Sequence, residues 1–189
     1  MTVEAAFTHF PTLTTPRLCL RQVQESDAQA LYAIKSDPEV TQAYGQEPHA
    51  SLEQTLGWIH RLQADYPARA SLFWAITLRG SDQVIGECVF WNFDAGFHCA
   101  ELGYELNRAC WRQGLMAEAV SAVLAFGFDG LSLHRIEACP YAQNDPSVNF
   151  LVKLGFTCEG SLRQRHFFRG QYLDQNYYGL LEEEWRKFA

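Results

Sequence analysis

The sequence lacks the marks of several common protein classes. Its 189 residues include no apolar stretch close to the roughly 20 residues that cross a bilayer, and the N-terminus, MTVEAAFTHF, has neither the basic flank nor the long apolar centre of a signal peptide. The six cysteines form no C-x-x-C pair, and none stands beside a histidine at the spacing of zinc ligands. We therefore expect a cytoplasmic protein with free thiols, no bound metal and no membrane partner.

Basic residues are few and scattered. Lysine and arginine number 15 against 22 aspartates and glutamates, which gives a net charge of −7. A protein that binds nucleic acid normally carries a clustered basic surface, so we expect no nucleic-acid partner. The acidic balance suits a cationic ligand such as an amine or a basic polypeptide, although many soluble proteins are acidic for solubility alone.

Apolar residues are abundant. They make up 48% of the chain and aromatic residues 14%, which excludes a disordered or low-complexity protein and predicts a core rich in rings. The length suits one α/β domain, and neither an internal repeat nor a linker divides the chain. We interpret residues 1–189 as a single domain.

The first third of the chain predicts a strand followed by helices. The run Leu18–Gln22 alternates like a strand, and Ser26 is a candidate N-cap for the helix that follows it. Ser51 with Gln54 three residues later resembles a capping box, and it opens a second helix that continues to Pro67.

The middle of the chain predicts an antiparallel meander of three strands, at 73–78, 84–92 and 99–106. Successive side chains of a strand point to opposite faces of the sheet. In the third strand Glu101 and Glu105 therefore share one face, and Tyr104 belongs to the other.

The last third returns to alternating helices and strands. Helices are predicted from Gly114 to Gly130 and around 148–152, and strands are predicted at 135–139, 157–162 and 175–181. The complete order predicts a mixed α/β (α+β) protein with a largely antiparallel sheet.

The segment WRQGLMAEA at 111–119 joins a strand to a helix through Gly114. The N-terminus of a helix presents unpaired amides and the positive end of the helix dipole, which suits phosphate oxygens. The segment has no Walker lysine and no G-x-G-x-x-G, so neither a P-loop nor a dinucleotide site is expected. An ordinary helix start is the alternative interpretation.

Four ordered stretches resemble the GNAT superfamily of N-acetyltransferases, and most closely its ribosomal-protein N-terminal acetyltransferases of the RimJ/RimL type. They are TPRLCLRQVQESDAQAL at 15–31, AELGYELNRACWRQGLMAEAV at 100–120, HRIEACPYAQNDPSVNFLVKLGF at 134–156 and EGSLRQRHFFRGQYLDQNYYGLLEEEW at 159–185. The resemblance implies a three-layer fold whose sheet is splayed between the strands at 99–106 and 135–139, with acetyl-CoA bound in the gap.

The pyrophosphate signature of that superfamily, a polar residue followed by x-x-Gly-x-Gly/Ala, falls on residues 111–116. Trp111 and Met116 depart from it, but the phosphate contacts are expected from backbone N–H groups. The residues that the resemblance implies for cofactor binding are Leu106, Arg112, Gln113, Gly114, Leu115, Met116, Ala117, Asn144 and Asn149.

The resemblance also suggests residues that manage protons. Ser147 matches a serine thought to lie near the CoA sulfur, where it would protonate the thiolate; a helix-start serine is the alternative. Glu101 is a candidate base acting through water, and Glu105 is a weaker one. His166 stands where the resembled branch can carry a glutamate proposed as the base, and a histidine, with an unperturbed pKa of about 6.5, could serve in that role.

The resemblance implies an enzyme that moves an acetyl group from acetyl-CoA to a protein N-terminal α-amine, such as that of a ribosomal protein, without a covalent enzyme intermediate. A small amine such as an aminoglycoside, a polyamine or an amino acid is an alternative acceptor. A non-catalytic acyl-CoA-binding module is an alternative of another class. A succinyl donor, and either a monomer or a homodimer, are compatible with the sequence.

Overall fold

A mixed sheet of eight strands organises the computed structural model, which describes residues 3–188. The spatial order is β1-β2-β3-β4-β5-β6-β8-β7, and only the β5–β6 neighbours among them are parallel. The strands are β1 (Leu13–Thr14), β2 (Leu18–Gln22), β3 (Ser71–Leu78), β4 (Val84–Asp94), β5 (Cys99–Leu106), β6 (Arg135–Ala138), β7 (Thr157–Phe168) and β8 (Gln171–Leu181).

The described helices lie between these strands and at both ends. They are α1 (Val3–Ala6), α2 (Ala28–Lys35), α3 (Pro38–Thr41), α4 (Leu52–Asp65), α5 (Leu115–Ala125), α6 (Asp145–Lys153) and α7 (Glu182–Phe188). A π-helical turn, Phe126–Gly130, extends α5 to the glycine at which the helix was predicted to stop. None of the helices within residues 3–188 is long and apolar enough to cross a membrane.

Both faces of the sheet are covered, which confirms the predicted three-layer α/β fold. Strand β3 shows the arrangement: Trp74 and Ile76 belong to a core shared with α5, whereas Phe73 and Ala75 belong to a second core shared with α2 and α4. Because alternate side chains of a strand enter opposite faces, a strand covered on both sides is apolar almost throughout.

The two helix caps proposed from sequence have different outcomes. Ser51 accepts the N–H of Gln54 at 3.3 Å and begins α4, so that cap is confirmed. Ser26 as an N-cap is wrong, because it lies inside the 3₁₀ turn Glu25–Asp27 that precedes α2. The carboxylate of Asp27 instead accepts the N–H of Gln24 at 2.8 Å.

The sheet is splayed between β5 and β6, as the resemblance predicted. The two strands are in register only at Cys99–Arg135, Ala100–Ile136 and Glu101–Glu137, although β5 continues to Leu106. Strand β6 ends at Ala138, and its other edge pairs with β8. A V-shaped opening therefore lies beside the second half of β5.

The β7–β8 hairpin is much longer than its predicted strands. Both strands continue to the turn at Arg169 and Gly170, whose positive φ angles of 47° and 79° suit a tight hairpin turn. Strand β7 is exposed at nearly every position on both faces, so it carries no alternation of polar and apolar residues. The periodicity that locates strands in sequence is missing there, which explains the short prediction.

Candidate functional site

The first turn of α5 is exposed at its N-terminal end. Gly114 precedes it with φ of +72°, a left-handed conformation that glycine adopts at no steric cost. The N–H groups of Leu115, Met116 and Ala117 open the helix and have no acceptor one turn back. Residues 111–114 are exposed in front of them, so a ligand can approach this helix end.

Trp111 holds the preceding loop in place. Its indole Nε1 donates to the backbone carbonyl of Leu106 at 2.8 Å, which ties the loop to the end of β5. This contact explains why a tryptophan can replace the polar residue of the superfamily signature at position 111. The tryptophan side chain leaves the backbone amides of the helix start free. It also occupies the carbonyl of Leu106, one of the predicted cofactor-binding residues.

The charged side chains Arg17 and Glu118 lie beside this helix start and pair with each other. Glu118 lies in the first turn, but its carboxylate accepts from the Thr15 hydroxyl at 2.5 Å and pairs with Arg17 Nε at 2.5 Å. These contacts hold the pKa of Glu118 below its usual range, the Thr15 hydrogen bond being the largest cause. Arg17 also donates to the carbonyl of Gln113 at 3.0 Å and lies within 3.5 Å of the position of a Cβ at Gly114.

Two hydroxyl groups meet across the β5–β6 opening. The Tyr104 Oη lies 2.7 Å from Ser147 Oγ, beyond the last register pair of the two strands. Burial raises the pKa of Tyr104 well above its usual value, so this hydroxyl stays protonated. Alternation along β5 predicted the face on which Tyr104 lies, but did not mark it as a functional residue.

Asn144 links this opening to the other side of the sheet. Its Oδ1 accepts the N–H of Ser147 at 3.1 Å and caps α6, while its Nδ2 donates to the carbonyl of Ala43 at 2.8 Å. Ala43 belongs to the segment between α3 and α4. The other predicted asparagine, Asn149, is exposed on α6.

Glu101 lies on the opposite face of β5 from Tyr104 and is only partly exposed. Its carboxylate accepts from Asn92 Nδ2 at 2.8 Å. Burial raises the pKa of Glu101, and hydrogen bonds from Asn92 and the Cys139 thiol oppose that shift. A carboxylate with a raised pKa is a better proton acceptor than an ordinary one.

His166 lies on the same face and is joined to the surroundings of Glu101. Gln175 Nε2 donates to the carbonyl of Cys139 at 3.0 Å, which fixes the orientation of the amide. Gln175 Oε1 therefore accepts from His166 Nε2, also at 3.0 Å. In the neutral imidazole this leaves Nδ1 as the proton acceptor. The centroid of the His166 ring lies 5.1 Å from that of the Tyr141 ring.

Glu105, the weaker base candidate, is engaged elsewhere. It lies against the Lys35 ammonium at 3.1 Å, and Glu87 lies 2.8 Å from the same ammonium. Lys35 and Glu105 are each 7% exposed, and Glu87 is 6% exposed. We call Lys35, Glu87 and Glu105 the buried ionic cluster. Its Glu105 has no access to an incoming amine, so the expectation of a base at this position is wrong.

The buried ionic cluster predicts a pH dependence of stability. Burial raises the pKa of Glu87 to about 7, with the charge of Lys35 opposing the shift. An unfolded glutamate titrates near 4.3, so between about pH 4.5 and 7 the native state retains a proton that the unfolded chain has lost. The free energy of unfolding then falls as pH rises through this window.

In urea unfolding between about pH 4.5 and 7, the free energy of unfolding of Glu87→Gln is expected to fall less steeply with pH than that of the unchanged protein. Glu183→Gln, which alters an exposed glutamate of α7, is the matched control and should keep the original slope. Parallel profiles for the protein and Glu87→Gln would contradict the shifted titration.

Apart from Leu106 and Asn149, the residues predicted for cofactor binding and catalysis form three groups. The helix-start residues 112–117 lie beside the opening, Ser147 and Asn144 line it, and Glu101 and His166 lie on the far face. Three residues of these groups were not predicted as site residues from sequence: Tyr104, Arg17 and Gln175. A hydroxyl among the apolar residues of one strand face was the available signal for Tyr104; nothing local marks the other two.

Comparison with known proteins gives a consistent result. The model of the acetyltransferase (GNAT) domain matches residues 17–157. The uncharacterized N-acetyltransferase YoaA of Bacillus subtilis (strain 168) is 38% identical over 92% of this chain and 98% of its own. The [ribosomal protein uS5]-alanine N-acetyltransferase of Escherichia coli (strain K12) is 28% identical over 92% of each chain.

Solved structures show the same fold. A GNAT-family acetyltransferase from Bacillus anthracis superimposes with a TM-score of 0.81 at 27% identity, covering 92% of this chain and all of its own. RimL, a ribosomal L7/L12 α-N-protein acetyltransferase solved in complex with coenzyme A, gives a TM-score of 0.82 at 20% identity, covering 90% of this chain and 98% of its own. The likeness to RimL supports the fold alone.

Proposed function

Because this chain belongs to the acetyltransferase (GNAT) domain family and is an N-acetyltransferase, we propose that it moves an acetyl group from acetyl-CoA to the α-amine of a protein N-terminus. A ribosomal protein is the acceptor class that we favour. The similarity to the uS5-alanine N-acetyltransferase along nearly the whole of both chains supports this choice.

The exposed start of α5, next to the β5–β6 opening, is the observation that best supports acetyl-CoA binding. Three first-turn N–H groups, the left-handed Gly114 and the guanidinium of Arg17 fit a pyrophosphate, and the carboxylate of Glu118 is already paired. The Tyr104–Ser147 pair fits the opposite, thiol end of the same ligand. Acetyl-CoA would supply an acetyl group already activated as a thioester.

The far face of the sheet suits an amine acceptor. Glu101 and His166 provide two proton acceptors there, connected through Cys139 and Gln175. A protein α-amine has a pKa near 8, against about 10.4 for lysine, so an N-terminal substrate needs only modest help to lose its proton. We propose Glu101 as the base that acts through water and His166 as a second proton acceptor on the same face of the sheet.

Ser147 has a narrower role than that of an acid. An alcohol is a much weaker acid than a thiol, whose pKa is about 8.5, so the Ser147 hydroxyl is not the net source of the thiol proton. It donates a hydrogen bond that stabilises negative charge on the departing sulfur. The proton itself comes from the acceptor amine by way of the base and solvent.

A thiol-release assay with acetyl-CoA tests the acceptor. We expect turnover with peptides that carry a free N-terminus, and none with the same peptides blocked at the N-terminus, because only the former present a neutral α-amine. Lysine side-chain peptides, aminoglycosides and polyamines complete the panel. Turnover of small amines alone would overturn the protein acceptor, and stabilisation by CoA without turnover on any acceptor would indicate a binding module.

A further inference from the structure

Tyr104 is placed so that it can act on the donor half of the reaction through Ser147. We propose that Tyr104 is a positioning residue, which holds the Ser147 hydroxyl with its hydrogen directed at the coenzyme A sulfur. The inference rests on the proposed function, because it presumes that the thiol end of the ligand lies in the β5–β6 opening.

Neighbouring residues fix the positions of both Tyr104 and Ser147. The Tyr104 ring packs edge-on against Phe150 of α6, with 5.0 Å between ring centroids. The backbone N–H of Ser147 is fixed by Asn144 Oδ1 at 3.1 Å. The 2.7 Å contact between the two hydroxyls therefore joins β5 to the first turn of α6 at a defined place, where the two strands have already separated.

The chemistry of the two groups decides which one donates. A phenol is a stronger donor than an aliphatic alcohol, and burial keeps the Tyr104 hydroxyl protonated. Tyr104 Oη–H therefore donates to Ser147 Oγ. A serine hydroxyl has one hydrogen and two acceptor sites, so this bond uses an acceptor site and leaves the hydrogen of Ser147 for the ligand.

The donated hydrogen bond also strengthens the one that Ser147 makes. In a chain of hydrogen bonds each donor polarises the next, so Ser147 becomes a better donor when Tyr104 donates to it. A hydrogen bond to a charged group favours the charged form, and a sulfur held in this way ionises more readily. No covalent bond to the chain forms or breaks in this role.

The pKa of the thiol of bound coenzyme A reports this arrangement without any acceptor. It can be measured from the ultraviolet absorbance of the thiolate, as a difference against the protein saturated with desulfo-coenzyme A. We expect Ser147→Ala to raise the pKa of the bound thiol by about one unit. Tyr104→Phe, which keeps the ring on Phe150, should raise it by a few tenths of a unit.

The double variant separates positioning from an independent effect. If Tyr104 acts through Ser147, adding Tyr104→Phe to Ser147→Ala changes the thiol pKa no further. Tyr66→Phe is the control: the Tyr66 hydroxyl donates to the Ala6 carbonyl at 3.0 Å and not to Ser147, so its removal should leave the thiol pKa unchanged. With an acceptor that is turned over, Tyr104→Phe should lower kcat severalfold and leave KM for acetyl-CoA unaltered.

Each result has a distinct meaning. A thiol pKa that rises in Ser147→Ala but not in Tyr104→Phe overturns the role of Tyr104 and leaves the proposed function intact. An equal rise from Tyr104→Phe with and without Ser147 also overturns it. No rise in either variant removes Ser147 from the thiol end of the site. Failure of coenzyme A to bind the unchanged protein refutes the donor side of the proposed function, and with it this inference.

Discussion

Lys35→Met is expected to lower the free energy of unfolding by about 3–5 kcal/mol, the cost of removing one partner from a buried ion pair. Lys35 is 7% exposed, and its ammonium lies 2.8 Å from Glu87 and 3.1 Å from Glu105. Burial alone lowers the pKa of Lys35, but the charges of the two carboxylates outweigh it, and the net pKa is raised. Without the ammonium, two carboxylates remain in a site that excludes water.

The source of the loss can be tested in the same protein. If uncompensated charge causes it, Lys35→Met combined with Glu87→Gln and Glu105→Gln should recover much of the stability, because amides carry no charge. The Lys35 ammonium also lies 4.4 Å from the Trp58 ring centroid, a contact that the triple variant does not restore. Lys153→Met changes an exposed lysine and is the matched control in urea unfolding. A loss for Lys35→Met no larger than that control would contradict the argument.

Periodicity and caps account for the parts of the fold that were predicted from sequence. Strand β5 has the bounds predicted for it, Cys99–Leu106, and its half-exposed and buried residues alternate from Cys99 to Gly103. Helix α4 begins after Ser51 as predicted, since the cap lies three residues from its partner and needs no tertiary structure. The bounds of β7 had no such local determinant.

Contacts between distant residues account for what was missed. Alternation alone put Tyr104 and Glu101 on opposite faces of β5, but the partner of Tyr104 is 43 residues further along the chain. Glu105 has the same local pattern as Glu101. Only the packing of α2 against the sheet shows that a lysine 52 residues from Glu87 binds both buried carboxylates. The left-handed Gly114 and the start of α5 could be located from one short segment, whereas Arg17, which lies beside them, is far away in the sequence.

Gly114→Pro is expected to abolish the stabilisation of the protein by coenzyme A. At a free ligand concentration about 100 times the dissociation constant, that stabilisation amounts to about 2.7 kcal/mol. Proline fixes φ near −65°, whereas Gly114 has φ of +72°, so the loop before α5 must take another path. The first-turn amides would then no longer face the ligand together. Thermal unfolding with and without coenzyme A measures the effect.

Two further substitutions at Gly114 separate backbone conformation from side-chain bulk. Within residues 3–188, the one neighbour that a Cβ there would meet within 4 Å is the Arg17 guanidinium, at 3.5 Å, so space is not the constraint. Asparagine tolerates a left-handed conformation better than alanine does. Gly114→Asn should therefore keep more of the thermal shift than Gly114→Ala, and both should unfold cooperatively without ligand. A full thermal shift in Gly114→Pro would mean that the pyrophosphate is bound elsewhere. Equal losses of the shift in the asparagine and alanine variants would indicate that side-chain bulk at the helix start limits binding, and not the left-handed conformation of Gly114.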